Sequence, residues 1–264
     1  MRLTTIMAAA LALAVSGGAA AQEARAPTLF IASDSTAQHY NDDRYPQAGW
    51  GSFLGCVLTG ATVDNRAIGG RSTRTFVSEG RWNGLLADLR PGDAVLIQFG
   101  HNDASENKPE RFADAATTYR QFLMSFIADV RAAGATPVLL TPVARRSFDE
   151  SGKAKADFPT YSAVVRQLAE ARGVPLVDLE TSSRALLDQT GYDAAAALYL
   201  HYPAGEIARW PEGVSDDTHF SEIGARRIAN LVADGLTATP LAPYVGSDRS
   251  DLTRETPVGS SRCR

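Results

Sequence analysis

The residues of this chain that could do covalent chemistry are few and far apart. Ser35 comes three residues after the short apolar run Thr28 to Ala32, where its hydroxyl can stand clear of a sheet edge. Asp216 and His219 lie three apart. On a tight loop that carboxylate can hydrogen-bond the imidazole N–H and hold the tautomer whose other nitrogen accepts a serine proton. Gly70 offers a backbone N–H with no side chain in the way, and Asn102 offers an amide NH₂. Together with the Ser35 N–H they make a three-donor oxyanion hole. The chemistry implied is nucleophilic acyl transfer with a serine nucleophile, a histidine base and an orienting aspartate. Plainer readings stand beside it. Ser35 could cap a following helix, Gly70 could be a turn glycine, Asn102 and Asp103 could be Asx-turn residues, and Asp216 and Asp217 could form a solvated turn. His219 is hardest to dismiss, because the chain has only four histidines. His101 is expected to shape its loop.

Several other chemistries lack their signatures. There is no G-x-S-x-G elbow, no G-x-x-x-x-G-K-[ST] phosphate loop, no H-E-x-x-H and no G-x-G-x-x-G. His39 and His201 have Asp42, Asp43 and Glu206 near them in sequence but no recognised ligand spacing, so neither metal nor cofactor is expected.

The elements that must position these groups alternate along the chain. Apolar runs at 28–32, 93–99, 136–140 and 174–179 read as buried strands, with a weaker one at 61–65. Helical patterns cover about 113–133, stopping at Gly134, about 161–172, stopping at Gly173, and about 222–236. Such alternation predicts an α/β fold, a three-layer α/β/α sandwich around a mostly parallel sheet of about five strands. In open sheets of this kind, ligands bind beyond the carboxyl ends of the strands. Ser35, Gly70, Asn102 and residues 142–146 all follow predicted strands. One domain is read over 22–236, and the Pro-, Ser- and Arg-rich 237–264 is expected to wrap the surface or be loosely ordered.

The chain has 264 residues, of which 44% are hydrophobic, an ordinary globular balance. Lys and Arg number 26 against 30 Asp and Glu, for a net charge of −4, which argues against nucleic acid or an anionic membrane as partner. Arg2, the apolar run 6–15 and Ala19-Ala20-Ala21 form a secretory signal pattern over 1–21, too short to span a bilayer. The exported protein is expected in the periplasm or outside the cell. Export permits a disulfide between Cys56 and Cys263, but with Cys263 in a polar tail, a buried free Cys56 is the favoured expectation.

Ser33-Asp34-Ser35-Thr36 resembles the G-D-S block of the SGNH/GDSL hydrolases, with Ser33 where the family usually has glycine. Gly70, in Ala67-Ile68-Gly69-Gly70-Arg71-Ser72, resembles the family's glycine block. Gly100-His101-Asn102-Asp103 resembles its G-x-N-D block and Asp216-x-x-His219 its D-x-x-H block, all in family order. Within that superfamily the chain is similar to rhamnogalacturonan acetylesterases. The similarity lies in Gly49-Trp50-Gly51, Arg71-Ser72-x-Arg74-x-Phe76, Thr141-Pro142-Val143-x-Arg145-Arg146 and Asp217-Thr218-His219-Phe220-Ser221. The resemblance implies a flavodoxin-like SGNH fold and Ser35, His219 and Asp216 as nucleophile, base and orienting acid. It also implies an oxyanion site at Ser35, Gly70 and Asn102.

The implied substrate is an acetylated polysaccharide or oligosaccharide, foremost acetylated rhamnogalacturonan of pectin. Acetyl-xylan, an aryl ester or a lipid, or a non-catalytic carbohydrate-binding role, remain as alternatives. Arg71, Arg74, Arg145 and Arg146 could hold uronate carboxylates, or could pair with carboxylates of the protein itself. Trp210, in the loop 205–213, is the candidate substrate wall, whereas Trp50 reads as core.

Overall fold

A computed structural model describes residues 25–263; the predicted leader 1–21 lies outside them. The strands are β1 Thr28–Ala32, β2 Thr62–Asn65, β3 Ala94–Gln98, β4 Thr136–Leu140, β5 Leu176–Val177, β6 Tyr199–Tyr202 and β7 Val214–Phe220. The helices are α1 Thr73–Ser78, α2 Arg81–Asp88, α3 Arg120–Ala132, α4 Pro159–Arg172, α5 Leu179–Thr190 and α6 Glu222–Leu236. Five strands form one sheet in the order β2-β1-β3-β4-β5, parallel throughout. β6 and β7 make a separate antiparallel pair.

Buried strands feed a core on each face, because successive side chains point to opposite sides. Leu29, Ile31, Leu96, Val138 and Leu140 join Trp50, Phe53 and α6 on one face. Phe30, Ala32, Val95, Ile97 and Leu139 join Trp82, Phe126 and α4 on the other. The result is three layers.

The sequence pattern places β1, β4 and α6 at their observed bounds, and the differences elsewhere have local causes. The expected helix 113–133 opens as a wider π turn, Ala115–Tyr119, before α3 proper, where Asp114 accepts from Thr117 N–H. The expected strand 174–179 keeps only Leu176–Val177, because Asp178 caps the next helix by accepting from Thr181 N–H.

Residues 237–263 run back over the body. Leu58 and Val245 form an isolated bridge, Leu252 is fully buried, and Cys263 is disulfide-bonded to Cys56. This corrects the expectation of a free Cys56 thiol. The polar tail reaches it because a buried carboxylate gives the tail somewhere to dock. Glu222, in the first turn of α6, accepts from the N–H groups of Val258, Gly259 and Ser260, from Tyr45 Oη and from Arg226 Nε. Two residues further along α6, a Cβ on Gly224 would stand 1.8 Å from the carbonyl oxygen of Leu198, which immediately precedes β6. Only a glycine allows the helix to lie this close.

Candidate active site

Ser35 stands in a turn beyond the carboxyl end of β1, closed by Ala37 N–H to the Asp34 carbonyl. No helix follows it, so the capping alternative falls away. The turn is fixed from beneath by buried polar groups. Asp34 Oδ1 accepts from the Thr36 N–H and hydroxyl, Gln98 Nε2 donates to Thr36 Oγ1, and Trp50 Nε1 donates to Gln98 Oε1. Tyr40 Oη donates to the Ser35 carbonyl. Ser33, in place of the family's glycine, is accommodated without strain: among the described residues no non-glycine has a positive φ.

Gly70 and Asn102 follow β2 and β3. Gly70 has φ +79°, a conformation that favours glycine. Asn102 Nδ2 donates one hydrogen bond, to the Arg71 carbonyl, and an amide NH₂ has a second proton to give. The N–H groups of Ser35 and Gly70 have no hydrogen-bond partner among the described residues. Asp103 Oδ1 accepts from the Thr73 N–H and hydroxyl, which ties the loop after β3 to the start of α1.

Asp216 and His219 come from β7, not from a tight loop as the sequence suggested. Tyr199 pairs with Phe220 and the next residue, Leu200, pairs with Asp216, so residues 217–219 bulge out of the ladder. A regular strand would point positions three apart to opposite faces; the bulge turns His219 back onto Asp216. Asp216 Oδ2 lies 2.7 Å from His219 Nδ1, while Asp216 Oδ1 accepts from the N–H groups of Thr218 and His219. His219 Nε2 lies 3.0 Å from Ser35 Oγ, across 184 residues of chain.

Protonation follows from the same contacts. Burial works against the Asp216 charge, but hydrogen bonds from the His219 side chain, its charge and the two backbone N–H groups outweigh it and bring the carboxyl down to about 2. An ionised carboxylate only accepts, so Nδ1 carries the imidazole proton and Nε2 is left to accept from the Ser35 hydroxyl. The arrangement can raise the nucleophilicity of Ser35 and return its proton to a leaving alcohol.

The sequence profile of the GDSL-like lipase/acylhydrolase family matches residues 34–227, which spans all these groups. The chain belongs to this family. It is a carboxylic ester hydrolase. It is 44% identical over 209 residues to the probable rhamnogalacturonan acetylesterase YesY of Bacillus subtilis, covering 79% of this chain and 91% of that protein. It is 39% identical over 209 residues to the rhamnogalacturonan acetylesterase RhgT of the same organism, covering 79% and 88%. The crystal structure of the Bacillus subtilis protein YxiM superposes with a TM-score of 0.70 at 27% identity, over 83% of this chain and 58% of that one.

Two clefts of this esterase meet at Ser35, Gly70 and His219, with volumes of about 330 and 440 Å³. Asn102 and Arg145 line the first and Arg71 the second. Arg71 is already engaged, by Glu79 and by the Gly69 carbonyl. The other predicted substrate contacts line neither cleft. Arg74 donates to the Phe112 carbonyl. Arg146 is buried, pairs with Asp217 and the Tyr192 carbonyl, and stacks on the Tyr192 ring, which is the alternative of an internal partner. Trp210 sits at the tip of the β6–β7 connection, bridged to Ile207 with Arg209 over its ring. His201 Nε2 is also on Asp217, and Trp50 is core. Sequence reasoning missed Arg111, which lines the first cleft from the irregular stretch between β3 and α3. Arg111 falls between the strand pattern that ends at 99 and the helical pattern that starts at about 113, so nothing local flagged it.

Proposed function

We propose that this esterase removes acetyl groups from an acetylated plant-cell-wall polysaccharide, foremost rhamnogalacturonan, through an acetyl-serine intermediate. The observation that carries the proposal is the continuous contact from Asp216 through His219 to Ser35 at 2.7 and 3.0 Å. Ser35 Oγ attacks the acetyl carbonyl while His219 Nε2 takes its proton and Asp216 stabilises the imidazolium. The tetrahedral oxyanion lies against the unpartnered N–H groups of Ser35 and Gly70 and the remaining Asn102 proton. The sugar hydroxyl leaves with the proton from His219. Water, deprotonated by the same nitrogen, then attacks the acetyl-serine carbonyl; the bond from that carbon to Ser35 Oγ breaks, Oγ takes the proton back from His219, and acetate is released. Every proton moves to or from His219 Nε2, so no step calls for a metal or cofactor.

The acetyl group and the polymer are suggested by the relatives' names, YesY and RhgT, at 44% and 39% identity. The 1–21 leader exports the chain, a reading supported by the Cys56–Cys263 disulfide, since such bonds persist in oxidising compartments. Acetate release from acetylated rhamnogalacturonan and from acetyl-xylan, compared with hydrolysis of a long-chain ester, tests the substrate. Preference for acetyl-xylan or the long-chain ester would overturn it.

A further inference from the structure

Of the four arginines that line the two clefts, Arg71 is paired within the protein, whereas the guanidinium groups of Arg44, Arg111 and Arg145 make no hydrogen bond or ion pair among the described residues. Arg111 and Arg145 differ from Arg44 in having a buried Nε, in each case without a partner. Both line the cleft that holds Ser35, Asn102 and His219. Arg145 lies over the Phe158 ring at 5.1 Å from its centroid. On the other side, Arg111 Nη1 comes within 3.8 Å of where a Cβ on Gly70 would stand. Buried polar groups are normally satisfied, and two cations facing one concavity repel unless an anion joins them. The contrast with Arg71, neutralised by Glu79 at the rim of the adjoining cleft, is direct.

We propose that Arg111 and Arg145 form a carboxylate-binding pair beside the nucleophile, which selects acetyl esters carried on an acidic sugar chain. The planar guanidinium fork matches a carboxylate in two parallel hydrogen bonds. An acetyl ester is neutral, so the anion is supplied elsewhere on the substrate, by a uronate on the esterified sugar or its neighbour. Acetate, the product, shares that chemistry and is the competing source. The proposal rests on the esterase reading above and adds to it the two residues that set its substrate charge.

The test compares kcat/KM on an acetylated galacturonate oligomer with that on a neutral acetylated xylo-oligosaccharide, for the unaltered enzyme, Arg111→Gln and Arg145→Gln. The acidic-to-neutral ratio should fall by about 10–100-fold in each variant, the value of one charged hydrogen-bonding partner. Arg111→Lys, which keeps the charge and loses the fork, should fall between. Equal losses on both substrates would overturn the proposal, since the arginines would then serve the reaction or the fold. So would an unmoved ratio accompanied by weaker acetate inhibition, which would assign the pair to product. Calorimetry provides an arm free of turnover. A de-esterified galacturonate trimer should bind Ser35→Ala at least about tenfold more tightly than it binds Ser35→Ala combined with Arg111→Gln. If no ester is hydrolysed at all, the esterase reading fails, yet this arm still decides the pair: equal binding, or none, overturns it.

Discussion

The two halves of the site are built in opposite ways. Ser35, Gly70 and Asn102 stand on loops of the parallel sheet above buried polar groups. Asp216 and His219 ride on a two-stranded ribbon outside that sheet, each with about 30% of its side chain exposed. Their carboxylates carry the difference. Burial pushes Asp34 up and Asp103 up to about 7, whereas hydrogen bonding holds Asp216 down at about 2 despite burial. One half is held by what it hides and the other by what it touches. The ribbon is fixed by Tyr199 and Phe220, which are buried in the core beside α6, by Arg146 and His201 on Asp217, and by Ala48 N–H on the Phe220 carbonyl, and the first turn of α6 secures the returning tail through Glu222.

Chemistry should break both halves, with unequal force. Ser35→Ala should lower acetate release by about 10⁴-fold or more with circular dichroism unchanged. Retained turnover would remove Ser35 from its role. Asp216→Asn should cost about 10³–10⁴-fold in kcat, because the amide no longer holds the Nδ1–H tautomer. Asn102→Ala should cost about 10²–10³-fold in kcat with KM little changed; a pure KM effect would assign Asn102 to substrate binding instead.

The structural contrast is sharpened by subtler changes. Cys263→Ser should lower stability by about 2–4 kcal/mol and raise hydrogen exchange across 199–220 more than in β1 and β3. Equal increases in both regions would erase the distinction drawn here. A separate effect concerns pH. Asp103, ordinarily near 3.8, is raised to about 7, so unfolding between those values releases a proton. Its contribution is fully present below about 3.8 and is lost as pH rises through about 7, and Asp103→Asn should flatten that fall in denaturation midpoints. Asp216 runs the other way: its contribution is present above about 3.8 and is lost as pH drops through about 2.

What could be read in the sequence divides along the same line. β1, β3 and β4 are continuous apolar runs, so the positions of Ser35 and Asn102 after strands were legible. β7 has the sequence Val214-Ser215-Asp216-Asp217-Thr218-His219-Phe220, too polar to announce a strand, and its bulge depends on register with β6. The Asp-x-x-His spacing was visible; the extended backbone behind it was not. α5 was lost because its N-cap, Asp178, falls inside an apolar stretch taken for strand. Arg111 and the docking of the tail on Glu222 depend on contacts between distant segments, which local periodicity does not encode.

Gly224 never meets a substrate, yet it works as a spacer of zero thickness between α6 and the backbone at Leu198. Even a methyl group there forces apart α6 and the backbone at Leu198, which leads directly into β6, the ribbon strand that pairs with His219's strand. A misplacement of about 1 Å between reacting groups can cost on the order of 100-fold in rate. The alignment of Asp216, His219 and Ser35 can therefore be detuned from a remote helix, without altering any of the three residues.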